Sequence, residues 1–483
     1  MQNYAITDKK KQLLFIVCVA CGAFMANLDI TIVNTSLPTI ARDVSTTPHI
    51  VALVVLIYHM VETGFLLLFG KLGDQKGFRN IYISGFAFFT AGSLLCGLSQ
   101  GIVSLLISRA IQGLGGAMLF SVMMATVSSF LPAKSRGKGI GIVTVAAAVG
   151  VALGPPIGGF ITTTWSWRWI FFINIPIGIV AIIVGFLVMP SQQKRSRDRG
   201  LDVIGAFTSL FALSLFVYAV HAEHRLGWHS PVVVISMGLA ALFAALFVVN
   251  EKRTKFPLLN PALFANRNYT LSALAMIPSF MTTSGILFVF PFFFEIAKHM
   301  SARTSGFMLM ALAAGQLMGP YAGYLADKHG PRKILLAGMA SAVITFAWFL
   351  FIGTDTGIPV LFGSLLLFGV VLGFERAPNV QLALRFVPPE RKGIGGSALG
   401  VFRSLGILLG ILTFEKIFSK CLHSVADLDA MDMTLTAINP QMAAQALHAT
   451  MFFGMILRVS ALVMVLFVAR NTHPNQVISR NAH

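Results

Sequence analysis

Charge is what this chain of 483 residues has least of: Asp, Glu, Lys and Arg together make up 11% of it, less than half the roughly 25% typical of soluble domains. So small a supply cannot cover a water-facing surface of this size, which excludes a soluble globular protein. Disorder is excluded as well, because it needs high charge and few aromatics, and Phe alone occurs 41 times. Acid is scarcer than base. Eighteen Asp and Glu against 36 Lys and Arg leave a net charge of +18. Such basicity ordinarily suggests nucleic acid, so its meaning depends on where the basic residues stand. Cysteine is also scarce. The four, Cys18, Cys21, Cys96 and Cys421, are too few for a disulfide framework. Cys18 and Cys21 fall one helical turn apart in an apolar run, a spacing that reads as packing rather than metal or redox chemistry. No Walker loop occurs, so ATP does not drive the protein directly.

What is abundant is long apolar runs. A membrane-spanning helix needs about 20 mostly apolar residues. Such runs lie near 13–36, 50–70, 81–99, 102–131, 138–162, 168–189, 202–220 and 230–250. Six more follow near 269–297, 304–326, 334–353, 358–384, 394–420 and 447–470. The expectation is an all-α membrane protein of about fourteen spans, since helices are the only spanning structure such sequences allow. Asp29 interrupts the first run and no small-residue cleavage site follows it, so that run reads as a retained span. With the N-terminus inside, 25 of the 36 Lys and Arg fall on inner segments, 7 on outer ones and 4 (Arg109, Arg376, Arg403, Arg458) within spans. The positive-inside rule therefore predicts that both termini are cytoplasmic. It also turns the basic charge into a topology signal and removes nucleic acid from the expected partners. Those are the lipid bilayer, a small-molecule substrate and protons, with a periplasmic adaptor left undecided.

One loop occurs twice. Gly70-x-Leu72-x-Asp74-x-x-Gly77-x-Arg79 returns as Gly323-x-Leu325-x-Asp327-x-x-Gly330-x-Arg332, every member displaced by 253 residues. A looser echo relates Phe130, Pro132, Gly137 and Gly139 to Phe386, Pro388, Gly393 and Gly395, displaced by 256. Six spans, two extra ones and six more fit this spacing, predicting a six-helix bundle over 1–190, two extra helices with basic linkers over 191–266, and a second bundle over 267–483. Repeated six-span halves mark secondary transporters, with substrate bound near mid-membrane. The glycines suit a tight turn between packed helices, and Asp74 can accept from a helix N-terminus or pair with a basic neighbour. The expected role of Gly70, Asp74, Gly77, Arg79, Asp327 and Arg332 is a latch on the cytoplasmic side, set against the plainer reading of a charged turn.

These motifs resemble the major facilitator superfamily, specifically its fourteen-span drug:proton antiporter branch. Gly70 to Arg79 looks like its signature loop, with departures at Gln75 and Asn80, where a basic residue is usual. Leu105-x-x-x-Arg109-x-x-Gln112-Gly113-x-Gly115 resembles the fourth-span motif, whose Arg is implicated in proton coupling. Gly150-x-x-x-Gly154-Pro155-x-x-Gly158-Gly159 resembles the fifth-span motif of antiporters. Leu28-Asp29-x-Thr31-Ile32-Val33-Asn34-x-x-Leu37-Pro38 and Trp167-Arg168-Trp169-Ile170-Phe171-x-Ile173-Asn174-x-Pro176 are similar to that branch's first-span motif and the opening of its sixth. The resemblance implies two six-helix bundles plus two extra helices, and a proton gradient in place of any cofactor. It further implies multidrug efflux across a bacterial inner membrane and antibiotic resistance. Physically, glycines four apart give a smooth face for close helix packing, and Pro155 removes a backbone hydrogen bond.

Charges inside a bilayer cost at least about 2.5–3.5 kcal/mol each on insertion scales, which makes each a functional candidate. Asp29 stands past the middle of the first span. Tyr58 and Glu62 are four apart and His59 and Glu62 three apart, so they share a helix face. Glu375 and Arg376 are adjacent and diverge by about 100°, which leaves Arg403, at similar depth, as the expected partner of Glu375. Arg458 has no local partner. The expected proton-coupling and substrate residues are Asp29, His59, Tyr58, Glu62, Arg109, Glu375 and Arg403, weighed against structural salt bridges. Glu295 and Glu415 are expected to reach water at outer ends. Phe288, Phe290, Phe292, Phe293 and Phe294 read as cavity lining or core. Deep acids are outnumbered three to four by deep arginines, so anionic substrates compete with lipophilic cations.

A membrane enzyme needs a convergent nucleophile or metal cluster, and the 11 His are scattered, with His221, His224 and His229 in a presumed outer loop. The expectation is no enzyme. A channel lacks these motifs, and a proton-coupled importer, disfavoured by Gly154-Pro155, is the nearest rival. The conclusion is a proton-coupled antiporter exporting small amphipathic compounds by alternating access. The alternative is a proton-coupled exporter or importer of a specific organic anion or metabolite.

Overall fold

The computed structural model describes residues 6, 8–190, 202–254, 257–259, 263–388, 392–426 and 439–469. Among them every regular element is an α-helix. The first six apolar runs become α1 (Lys9–Asp43), α2 (Pro48–Lys76), α3 (Phe78–Gly97), α4 (Ile102–Phe130), α5 (Ala133–Thr164), and the pair α6 (Trp169–Phe172) and α7 (Asn174–Val188). Next come α8 (Val203–Leu226) and α9 (Pro231–Arg253). The second half contains α10 (Arg267–Leu274), α11 (Met276–Ile296), α12 (Ala302–Gln316), α13 (Gly319–His329), α14 (Pro331–Phe349), α15 (Ile358–Arg385), α16 (Lys392–Ala426) and α17 (Pro440–Leu466).

Among the described residues thirteen helical stretches are long and apolar enough to cross a membrane. The expected run near 304–326 completes the fourteen in a broken form, because α12 ends at Gln316 and α13 starts at Gly319. The expected outer loop 421–446 is shorter than the sequence suggests. Helix α16 continues to Ala426 and α17 begins at Pro440, while Asp427, Asp429 and Asp432 lie outside the described residues, as do Lys194, Arg195, Arg197 and Arg199. His221 is in the last turns of α8 rather than in a loop.

Contacts divide the chain into two compact units, one mainly Met1–Leu258 and the other mainly Leu259–His299, Met308–Met433 and Ala437–His483. The segment 191–266 thus contributes α8 and α9 to the first unit. Within that unit α8 lies against α2, where Phe65 meets Phe207 edge-on at 6.0 Å and Gly64 faces Leu210. Asn250 of α9 donates two 2.8 Å bonds to the Asp202 carboxylate that caps α8.

Candidate functional site

The first unit holds a buried polar centre built on the first, third, fourth and sixth spans. Asp29 projects from α1, and Arg109 and Gln112, three apart on one face of α4, reach it together. Arg109 Nη1 donates to Asp29 Oδ2 at 2.8 Å and Gln112 Nε2 to Asp29 Oδ1 at 2.8 Å. Asn174, at the start of α7, adds a 3.0 Å bond to Oδ1, and Ser93 of α3 accepts from Gln112 at 2.9 Å. Asp29, Arg109, Gln112, Asn174 and Ser93 are all 0% exposed. Arg109 is held further by a 2.9 Å bond from Nε to the Val54 carbonyl and by the Tyr58 ring 4.4 Å away. Its Nη2 has no hydrogen-bond partner among the described residues.

The second-span group sits beside this centre. His59 Nδ1 and Glu62 Oε2 are 2.8 Å apart, with both side chains buried. Tyr58 is also buried, and the close approach of α4 to it requires small residues: a Cβ on Gly116 would lie 2.5 Å from the Tyr58 hydroxyl. Tyr58, placed with Glu62 in sequence, thus bridges toward Arg109, while His59 takes the carboxylate.

Two motif segments have plain structural partners. Trp167 Nε1 and Arg168 Nη1 both donate to Asp43 Oδ2, at 2.8 and 2.9 Å, tying the opening of the sixth span to the end of α1. In the repeated loop, Gly77 and Gly330 have φ of 94° and 91°, a left-handed region that favours glycine. Two residues on, Arg79 donates to the Phe186 carbonyl at 2.9 Å and Arg332 to the Leu466 carbonyl at 2.8 Å. Each arginine therefore fastens the loop to the final helix of its own half, at a C-terminus where cations are favoured. Asp74 and Asp327 are exposed. Gly70 has room, with Ser121 3.9 Å from where a Cβ would stand.

In the second unit Glu375 is paired, though not with Arg403. Arg458 Nη1 of α17 lies 2.5 Å from Glu375 Oε2, and Ser279 of α11 donates to the same oxygen at 2.7 Å. Glu375 and Arg458 are 1% and 0% exposed, and the Arg458 guanidinium stands between the Phe368 and Phe346 rings, at 5.3 and 5.6 Å. Arg376 turns the other way and donates to Gln316 Oε1. The Phe280 ring lies 5.0 Å from Arg376 and 6.0 Å from Arg403. Glu295 and Glu415 are buried rather than solvated, at 8% and 1% exposure, and Glu415 accepts from Ser419 at 2.7 Å. The five phenylalanines of α11 are core, each 0% exposed.

The fifth-span glycines make α5 lie directly on α1. A Cβ on Gly150 would stand 2.5 Å from the Phe24 carbonyl oxygen, on Gly154 1.9 Å from Thr31 Oγ1, and on Gly158 2.7 Å from Ile32 Cγ1. Pro155 and Gly159 are buried beside them.

The family model of the Major Facilitator Superfamily matches residues 19–411. The chain belongs to that superfamily. It is 32% identical over 415 residues to the riboflavin transporter RibZ of Clostridioides difficile, covering 86% of this chain and 90% of that protein. Over 420 residues it is 29% identical to the multidrug resistance protein Stp of Mycobacterium tuberculosis, covering 86% and 78%. A putative multidrug resistance protein MdtD of Escherichia coli is 29% identical over 400 residues, covering 81% and 83%. The fold is shared with a bacterial homolog of the human lysosomal transporter Spinster in an inward-facing, occupied state, at TM-score 0.69 and 14% identity over 96% of this chain and 98% of that one. This superfamily member is a multi-pass membrane transporter.

Several of its site residues escaped the sequence reading. Gln112 and Asn174 were visible as motif members, and only the fold shows that both grip Asp29. Arg458 stood out as a charge within a span but without its partner Glu375. Ser93 and Ser279 carried no local signal. Gly406 and Gly410 did. They follow Gly150 and Gly154 at a displacement of 256, that of the looser echo, and they bring α16 onto α11 as their counterparts bring α5 onto α1. A Cβ on Gly406 would meet the Ile277 carbonyl at 2.8 Å, and one on Gly410 the Met281 carbonyl at 2.3 Å.

Proposed function

We propose that this superfamily member is a proton-driven antiporter that exports small amphipathic compounds across a bacterial inner membrane, with both termini cytoplasmic. The observation that carries the reading is the fully buried Asp29–Arg109–Gln112–Asn174 centre. A carboxylate holding three donors is a two-state element. As an anion it keeps α1, α4 and α7 together; on taking a proton it releases its hold on Arg109, and those helices can shift. Glu62, bonded to His59, supplies a second proton site on the neighbouring span. Glycine-smoothed contact between α5 and α1 permits sliding without side-chain interlock. Asp74, Arg79, Asp327 and Arg332 close the cytoplasmic side between cycles, working from loops already fastened by their arginines. The similarity to two multidrug resistance proteins supports a broad substrate range and a part in antibiotic resistance.

The similarity to a riboflavin transporter favours the alternative of one specific metabolite. Efflux from proteoliposomes under an imposed proton gradient tests the main reading. Wild type should move amphipathic dyes against their gradient and acidify or alkalinise the lumen with the sign of antiport. Symport-signed proton movement, or efflux that survives in both Asp29→Asn and Glu62→Gln, refutes it. A panel of dyes and vitamins separates broad from single-substrate transport.

A further inference from the structure

Charge around the starts of α1 and α5 is almost all of one sign. Residues 6–17 and 130–145 hold Lys9, Lys10, Lys11, Lys134, Arg136 and Lys138 against a single acid, Asp8. Although 123 residues separate Gln12 from Ser135, the two helix starts are fastened level with each other. The Ile6 amide donates to the Phe130 carbonyl at 2.9 Å and Gln12 Nε2 to the Ile6 carbonyl at 2.7 Å. Ser135 Oγ donates to Gln12 Oε1 at 3.4 Å, and one turn further Ile16 lies 3.8 Å from where a Cβ on Gly139 would stand. All six basic residues are exposed. A lysine in the first turns of a helix gains nothing from the helix dipole, which favours anions there. The arginines of the repeated loop, by contrast, reach carbonyls at the ends of neighbouring helices. Among the described residues no hydrogen bond or ion pair holds any of the five lysine side chains.

Beyond these charges lies uncovered apolar surface at helical spacing. Lys9, Leu13 and Val17 follow one another four apart, as do Lys10 and Leu14, and the three apolar residues are 61, 48 and 48% exposed. On α5, Lys138, Val145 and Val149 share one face, with both valines exposed. Two adjacent helices thus each present cations at the head of an open apolar stripe. A molecule that answers both features carries an anionic head and hydrocarbon tails. We infer that this corner of the first unit binds an anionic phospholipid, its phosphate among the lysines and its acyl chains along Leu13, Val17 and Val145. Clusters of about four to eight Lys and Arg beside a span recognise anionic headgroups in this way. The positive-inside rule asks only that a loop be basic. It does not ask two remote segments to converge on one point above open apolar stripes. The inference depends neither on the export reading nor on which side of the membrane is the inner one.

The test is a thermal-shift titration of the purified full-length protein in an uncharged detergent. The probes are dioctanoyl phosphatidylglycerol, dioctanoyl phosphatidylcholine and glycerol 3-phosphate. Wild type should be stabilised by phosphatidylglycerol at a concentration at least about tenfold below that needed of phosphatidylcholine, the scale of a few lysines near an anionic head. Added salt should weaken the effect. The triple variant Lys9→Gln, Lys10→Gln, Lys11→Gln and the double variant Lys134→Gln, Lys138→Gln should each lower phosphatidylglycerol affinity about tenfold. Both should leave phosphatidylcholine unchanged, and the same positions changed to Arg should keep the preference. Lys328→Gln with Lys333→Gln, away from this corner, should change nothing. Equal wild-type response to the two lipids overturns the inference, as does phosphatidylglycerol affinity unchanged in both Gln sets. A loss as large in the Lys328 and Lys333 variant also overturns it, because net charge alone would then explain the binding. Stabilisation by glycerol 3-phosphate at the same concentration as by phosphatidylglycerol overturns it too, since the site would then take free phosphate and not a lipid. Where a Gln variant fails to purify as a single species, the wild-type comparison still decides.

Discussion

Arg109 Nη1 and Asp29 Oδ2 lie 2.8 Å apart with both side chains fully buried. Neither charge has water to fall back on, so the pair is held by its geometry and by the amides of Gln112 and Asn174. Removing one partner strands the other charge, at a cost of about 3–5 kcal/mol for buried pairs. Asp29→Asn and Arg109→Gln should therefore each lower the thermal midpoint of the purified protein strongly. The double variant, with no stranded charge, should recover much of that loss while remaining unable to couple protons. A double variant no more stable than the worse single one would show that charge balance is not what holds the centre.

Glu375 supplies a comparison within one unit. Its partner is the fully buried Arg458, with Ser279 bonded to both, whereas Arg403 is partly exposed beside Phe280. Arg458→Gln should destabilise by about 3–5 kcal/mol, and Arg403→Gln by clearly less. Equal losses in thermal unfolding would return Arg403 to a structural role in the ion pair.

The reason the sequence suggested Arg403 is instructive. Hydropathy fixes how deep a residue sits, and Arg403 and Glu375 are at similar depth. Depth says nothing about azimuth, and the direction in which α15 faces is set by its packing against α13 and α14. The spans themselves were legible because twenty apolar residues have few alternatives. The break at Leu317–Met318 between α12 and α13 is hidden from hydropathy by its apolar residues, and its signal is Pro320 in the first turn of α13. Asp29, Arg109 and Glu62 stood out as charges in apolar runs. Their neutral partners Ser93, Gln112 and Asn174 cost little in such a run, and their contacts span 19 to 145 residues of sequence.

The paired glycines allow a symmetry test. Gly154→Ala places a methyl against Thr31 Oγ1, and Gly410→Ala places one against the Met281 carbonyl. Backbone and β-branched neighbours yield poorly, so each should cost about 1–3 kcal/mol, the usual range for overpacking. Gly141→Ala, on α5 with nothing within 4 Å, should be neutral or slightly stabilising through helix propensity. Transport should fall in the first two and persist in the third. A Gly410→Ala protein with wild-type stability and efflux would mean that the α16–α11 contact is looser than its counterpart.

The two extra helices are tied to the transport machinery at one place that can be loosened cleanly. Gly64 of α2 faces Leu210 of α8, with a Cβ placed 2.7 Å from Leu210 Cδ1. Six residues beyond the facing Phe65, Lys71 of the signature loop lies in the field of Glu251 and Asp202 at the ends of α9 and α8. Gly64→Ala should therefore destabilise by pushing α8 off α2, and Leu210→Ala should relieve it. The cycle of the two single variants and the double, read by thermal unfolding, should give a coupling energy of about 1 kcal/mol or more, as expected for side chains in direct contact. Additive effects would mean that α8 is not pressed against α2. Efflux in Gly64→Ala then reports what the docking does. A rate that falls while the double variant restores it assigns α8 and α9 to bracing the second span, on which His59 and Glu62 stand.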